Sequence, residues 1–362
     1  MWPDRRILDL FGIELPIIQA PMAGPCFADM AVAVAEAGGL GSLPTATLSP
    51  DEARTELQII RQQTAKPINV NFFCHREPDA DPAREAGWRR RLEPYYRELG
   101  LDPAMSAPPD DRAPFNDELC RLVEEFQPQV VSFHFGLPSK ALLARVRKAG
   151  AKIISSATTV AEARWLEAEG CDAIIAQGAE AGGHRGIFLS DDVLRDAAGQ
   201  PGTIALVPQV ADAVKVPVIA AGGISDARGM VAALALGASA VQIGTAYLFT
   251  PEARVSAAHR EALMTARDDG TALTNVFTGR PARGIVNRVM REVGPIAREA
   301  PAFPTAGGAL APLKKESGAD FGSLWSGQAA ALAARRGLGA GDLTRTLAAE
   351  AEARLRTLAK PV

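Results

Sequence analysis

Val216-Pro217-Val218-Ile219-Ala220-Ala221-Gly222-Gly223-Ile224-Ser225 and, one helix later, Ser239-Ala240-Val241-Gln242-Ile243-Gly244-Thr245 are the stretches that decide the fold. Each is a near-continuous apolar run that ends in glycine. A strand with one wet face alternates apolar and polar residues. A strand buried on both faces does not, and that is the habit of parallel strands. Between the two runs Met230, Ala233, Leu234 and Gly237 fall at i, i+3, i+4 and i+7, one face of a helix. The unit is strand, helix, parallel strand.

The same unit recurs toward the N-terminus. Apolar runs at Leu15–Pro21, Gly39–Leu43, Pro67–Phe72, Val130–Phe135, Lys152–Ser156 and Ala173–Gln177 read as six more strands. Ser49-Pro50-Asp51-Glu52 reads as a capping box with proline at the first helical position, and Thr159 with Glu162 reads as another. Leu119, Leu122, Val123 and Phe126 mark a further amphipathic helix, and Thr250-Pro251-Glu252 predicts a helix start after the eighth strand. Eight such units over residues 15–265 predict an α/β chain folded as a (β/α)8 TIM barrel, which typically takes about 250 residues. No GxGxxG opens the first helix, so a doubly wound sheet is not favoured.

Two connections are long: residues 74–115 after the third strand and 178–205 after the sixth. Both leave strand C-terminal ends, where barrel enzymes keep their sites. The expected organisation is a barrel over 1–270 carrying the 74–115 insertion, and a C-terminal extension over 271–362. The helical tail, Ala329–Leu358, is expected to pack with the insertion as a smaller, mostly helical second domain or lid.

Hydrophobic residues make up 47% of the 362 and charged residues 22%, which excludes a disordered chain. The net charge of −3, without a basic stripe, argues against nucleic acid as a partner. No apolar run approaches the length of a membrane span, and the N-terminus has no signal-peptide pattern, so a cytoplasmic protein is expected. Cys26, Cys74, Cys120 and Cys171 lie far apart, and no ligand set for a metal is visible. A homodimer is left open.

Buried parallel strands should be apolar, yet strand ends here carry Asn69, Asn71, His134, Gln177 and Gln242. A polar side chain there costs a few kcal/mol unless it finds a partner. Asn69 and Asn71 are two apart and share a face. Amides at one end of a barrel suit a flat heterocycle with carbonyls and ring nitrogens. Gly222, Gly223 and the Gln242–Thr245 turn sit at the loops after strands seven and eight, where barrels commonly bind phosphate. His184, within Gln177-Gly178-Ala179-Glu180-Ala181-Gly182-Gly183-His184-Arg185-Gly186, lies between glycines and is the candidate for acid–base or anion-holding work. His75 and His259 read as surface residues.

Together with Gln19-Ala20-Pro21-Met22-Ala23-Gly24 and Asn69-Val70-Asn71, these segments resemble the nitronate monooxygenase family, formerly 2-nitropropane dioxygenases, in its bacterial class I form. The resemblance runs from about Leu15 to Arg291. It implies an FMN-dependent barrel that oxidises alkyl nitronates of the propionate 3-nitronate type with O2 to a carbonyl compound and nitrite. It also implies that Ala20, Pro21, Met22 and Asn71 line the flavin ring and that Gln177 and Gly182 contact it. Gly222, Gly223, Gln242, Gly244 and Thr245 would hold the phosphate and ribityl chain. His184 would be the catalytic histidine, with His134 a second substrate contact. Relatives tend to carry a tyrosine near Phe303. The alternatives are an FMN-dependent NAD(P)H reductase of the enoyl-acyl-carrier-protein or quinone type, and a non-catalytic flavin-binding barrel.

Overall fold

The protein is described by a computed structural model over residues 2–105, 112–333 and 337–359. Its centre is an eight-stranded parallel sheet: β1 (Ile17–Gln19), β2 (Gly41–Pro44), β3 (Ile68–Phe73), β4 (Val130–His134), β5 (Lys152–Ala157), β6 (Ala173–Gln177), β8 (Val218–Ala221) and β9 (Ala240–Ile243). The order β1-β9-β8-β6-β5-β4-β3-β2 returns on itself, and a parallel bridge from Ile18 to Leu40 closes the ring. This is the expected (β/α)8 barrel. Strand residues such as Ile17, Ile18, Val130, Ile153, Ile174 and Ile219 are almost fully buried, as two-sided packing requires.

The capping box at Ser49 forms in full. The one at Thr159 does not. Thr159 Oγ1 accepts from Glu162 N, but the Glu162 carboxylate turns away from the cap. It accepts instead from Thr158 N and Oγ1 and from the N–H groups of Phe188 and Leu189. A buried carboxylate thus anchors the long connection after β6 to the barrel wall.

That connection carries β7 (Gly183–His184), which joins a second sheet, β10 (Thr271–Thr274), β11 (Ala282–Ile285) and β7, all antiparallel. Over it lies a separate apolar cluster. Trp88, Leu92 and Tyr96 of the insertion helix Pro82–Glu98 pack with Val276, Phe277, Met290, Leu310 and Phe321. Trp88 Nε1 donates to Ala306 O at 3.1 Å and Tyr96 OH to Ala309 O at 2.6 Å.

The tail helix behaves otherwise than expected. Ala340–Leu358 packs on the helices Ala28–Glu36 and Ala227–Ala235 of the barrel, not on the insertion. Its apolar stripe, Leu343, Leu347, Ala348 and Ala351, joins the barrel core. The predicted helix at Thr250 also fails. A 3-10 turn, Thr245–Phe249, follows β9, and the next helix, Ala257–Met264, is capped by Ser256. Thr250 closes the 3-10 turn by bonding Tyr247 O, and Glu252 caps the tail helix by accepting from Ala340 N at 2.9 Å.

Candidate functional site

A cavity of about 630 Å³ opens at the C-terminal ends of the barrel strands, within the range of about 300–1,000 Å³ usual for small-molecule sites. Every site residue expected from sequence lines it. Ala20, Pro21 and Met22 follow β1. Asn71 and His134 come from β3 and β4. Gln177 ends β6, with Gly182 and His184 beyond it. Gly222 and Gly223 follow β8; Gln242 lies near the end of β9, and Gly244 and Thr245 follow it. Register makes the set contiguous: Gln177 pairs with Ala221, and Ala221 with Gln242.

The amides differ in what they can offer. Asn69 lies below the cavity, fully buried, with Nδ2 donating to Ser42 Oγ at 3.0 Å. Asn71 Nδ2 donates to Ser132 Oγ at 2.9 Å. Gln177 is held by backbone at both amide atoms: Nε2 donates to His184 O at 3.0 Å and Oε1 accepts from Gly186 N at 2.8 Å. Gln242 Oε1, in a cavity-lining residue, is buried without a partner among the described residues; Asn69 Oδ1 also has none, but Asn69 does not line the cavity. An orphaned carbonyl facing a cavity asks for a donor from a ligand.

At the expected phosphate end the first amides of the helix after β8 are already bonded. The helix after Ser225 is capped by Asp226, whose carboxylate accepts from Arg228 N and Gly229 N. The backbone of Gly222–Ser225 and of the Gly244–Thr245 turn lines the cavity at this end. Gly222, at φ +113°, turns the chain in a region that other residues rarely adopt, and a Cβ there would stand 2.9 Å from Ala181 N. An orphaned acceptor, a cradle of backbone and an open mouth fit a flat phosphorylated group.

His184 lies among aromatic rings. Phe303, Trp325, Phe135 and Phe73 have centroids 5.3, 5.5, 5.9 and 6.1 Å from its own. Its Nε2 is 2.9 Å from Thr278 Oγ1, while Nδ1 has no hydrogen bond among the described residues. Burial, reinforced by the cations of Arg112, Arg280 and Arg185, holds its pKa well below 6.5, so the ring is neutral near pH 7. Burial likewise pushes His134 down to about 3.

Sequence reasoning missed Thr278, Arg112, Trp325 and Phe73 as lining or partner residues. Phe73, two residues beyond Asn71, shares the face of Asn69 and Asn71 and could have been found by that alternation, whereas the other three belong to no periodic pattern that marks a mouth. It also misplaced two histidines: His75 and His259 are 5% and 7% exposed. His75 is wedged against Phe303 at 4.8 Å, and His259 Nε2 donates to Trp325 O at 3.0 Å. No helix among the described residues is long and apolar enough to cross a membrane.

Fold and site define a (β/α)8 barrel with a cavity at the C-terminal ends of its strands, beside a buried, neutral histidine. The family model described as nitronate monooxygenase matches residues 4–350. A nitronate monooxygenase of Pseudomonas aeruginosa is 44% identical, over 95% of this chain and 98% of that one. The chain therefore belongs to the nitronate monooxygenase family. Nitroalkane oxidase from Streptomyces ansochromogenes has the same architecture, with a TM-score of 0.87 and 38% identity over 98% of this chain and 100% of that one. FabK from Thermotoga maritima is more distant, with a TM-score of 0.74 and 28% identity over 99% of each chain.

Proposed function

We propose that the protein oxidises alkyl nitronates of the propionate 3-nitronate type with O2, using FMN, to a carbonyl compound and nitrite, in the cytoplasm. The observation that carries this reading is the neutral, shielded His184, with Nδ1 unengaged among the described residues, at a cavity lined by Met22, Asn71 and Gln242. When bound, the flavin supplies the electron-accepting chemistry. The chain's own residues do the rest. Ala20–Met22 and Asn71 seat the ring, with Gln177 and Gly182 packing beside it. Gly222, Gly223, Gln242, Gly244 and Thr245 hold the ribityl phosphate.

A nitronate is an anion. A neutral imidazole can direct a hydrogen bond to its oxygen, and the surrounding Arg112, Arg280 and Arg185 make the site electropositive. The aromatic wall of Phe73, Phe135, Phe303 and Trp325 excludes water around that contact. His134 does not serve as a substrate contact in this reading, because both ring nitrogens are taken by protein groups.

The second reading is a FabK-type NAD(P)H reductase, favoured only by the shared barrel. One assay separates them. Purified protein with propionate 3-nitronate and air should release nitrite without NADH. Rapid NADH oxidation with no nitrite would replace the first reading by the second.

A further inference from the structure

We infer that His134 is a positioning residue: with Ser156 and Gln177 it clamps the peptide of His184 and so aims that imidazole into the cavity. The inference rests on the role given to His184 above. Three consecutive barrel strands supply the clamp, since His134 ends β4, Ser156 lies in β5 and Gln177 ends β6.

The protons can be assigned from the partners. His134 Nε2 is 3.3 Å from His184 O. A carbonyl oxygen only accepts, so Nε2 carries the hydrogen. Nδ1 is then a lone pair, and the Ser156 hydroxyl 2.6 Å away donates to it. Gln177 Nε2 donates to the same carbonyl oxygen at 3.0 Å, which fills both of its lone pairs. Gln177 Oε1 holds the next turn of chain through Gly186 N at 2.8 Å.

The chain passes this clamp with nothing to spare. A Cβ at Gly186 would lie 2.7 Å from Ser156 Oγ and 3.1 Å from His134 Cε1. From the opposite side β11 pairs Ala282 with His184. The backbone of residue 184 is thus fixed from two directions, which leaves its side chain one course, toward Thr278 and the cavity. A catalytic group gains from such support because small errors of aim lower rate steeply.

The first arm of the test needs no turnover. In holoenzyme labelled with 15N-histidine, long-range 1H–15N correlations near pH 7 should show His134 as a pure Nε2–H tautomer, and Ser156→Ala should introduce the Nδ1–H form. An Nδ1–H or charged ring in the unaltered protein overturns the clamp. The second arm is kinetic. His134→Phe keeps a ring but no donor, and kcat on propionate 3-nitronate should fall about tenfold or more, with KM within about twofold and flavin retained. His134→Gln, which restores an N–H near the Nε2 position, should recover most of the loss. The pair Ser156→Ala with His134→Phe should be no worse than His134→Phe alone, because one chain of bonds is cut once. A raised KM at unchanged kcat would mean that the ring touches substrate, and unaltered kinetics would mean that the clamp is idle; either outcome refutes the inference. If the unaltered protein turns over no nitronate, the functional reading fails while the tautomer arm still decides the clamp.

Discussion

His184 Nε2 and Thr278 Oγ1 meet at 2.9 Å, although 94 residues separate them in sequence. Thr278 arrives from the segment between β10 and β11, so the outer sheet supplies the partner of the barrel's candidate catalytic group. The hydroxyl has little other support: its next contact, Arg280 O, is 3.4 Å away. Thr278→Val keeps the shape and removes the hydroxyl. It should leave flavin bound and lower kcat by roughly tenfold to a hundredfold, the effect of stranding one shielded polar group at about 1–3 kcal/mol. Thr278→Ser should restore the rate. Steady-state kinetics on the three proteins, with the flavin spectrum as a control, decides it.

Stability should fall as the medium turns acidic, and the histidines give the sign. Burial and neighbouring arginines hold His75 at about 4 and His134 at about 3, against an ordinary 6.5. The unfolded chain therefore takes up protons below about pH 6.5 that the folded chain refuses. Stability is full above that pH and is lost as pH falls toward the folded values, at about 1.4 kcal/mol per pH unit for each such histidine at its steepest. Urea unfolding at pH 7, 6 and 5 should show the slope. His75→Phe, which keeps a ring beside Phe303, should flatten it by one proton and be more resistant than the parent at pH 5. An unchanged slope would mean that His75 is protonated in the folded state.

Arg185 is the buried support of the same loop. Its guanidinium is fully buried and donates to the carbonyls of Gly178, Ala179, Ala181, Gly182 and Gly183. No carboxylate among the described residues bonds it, and burial lowers it to about 9. Arg185→Met keeps the stem but strands those carbonyls, and we expect a loss of about 2–4 kcal/mol. Limited proteolysis should then cut near residues 178–186 before the rest of the barrel. Arg185→Lys, a point charge where a fork is needed, should fall between the two. Thermal unfolding with mapping of the first cut checks both.

The barrel was legible because buried parallel strands and amphipathic helices leave periodic marks, and the polar residues that interrupt them cluster at one end. Gln177 and Gln242 illustrate what such marks omit. Both were visible as amides at strand ends, but only the fold tells that Gln177 is engaged by the backbone of its own loop while Gln242 Oε1 is not. Thr278 carried no signal at all, since its role depends on a hairpin, β10–β11, that pairs with the distant strand β7. His75 was misread because one histidine beside Phe73 and Cys74 looks the same whether water or Phe303 covers it. The tail helix was recognisable as a helix, yet its docking face was decided by a partner stripe more than a hundred residues upstream.

Gly222 offers a test of where the phosphate end lies. Its φ of +113° is one that side-chain-bearing residues rarely adopt, and a Cβ would meet Ala181 N at 2.9 Å and Thr203 Oγ1 at 3.0 Å. Thr203 is itself held by the Glu180 carboxylate, at 2.8 Å to its N–H, so it has little room to retreat. Gly222→Ala must then shift the loop after β8 away from the loop after β6, at a strain of about 1–3 kcal/mol. The barrel survives that change, but the cradle opens, so the purified protein should carry little flavin and bind added FMN at least about tenfold more weakly. Gly199→Ala is the control, because the nearest atom to a Cβ there is Asp196 O at 3.8 Å; it should bind FMN as the parent does. Flavin titration by fluorescence quenching compares the two. Equal affinity in Gly222→Ala would remove the phosphate from this loop and, with it, the orientation assigned to the ring beside His184.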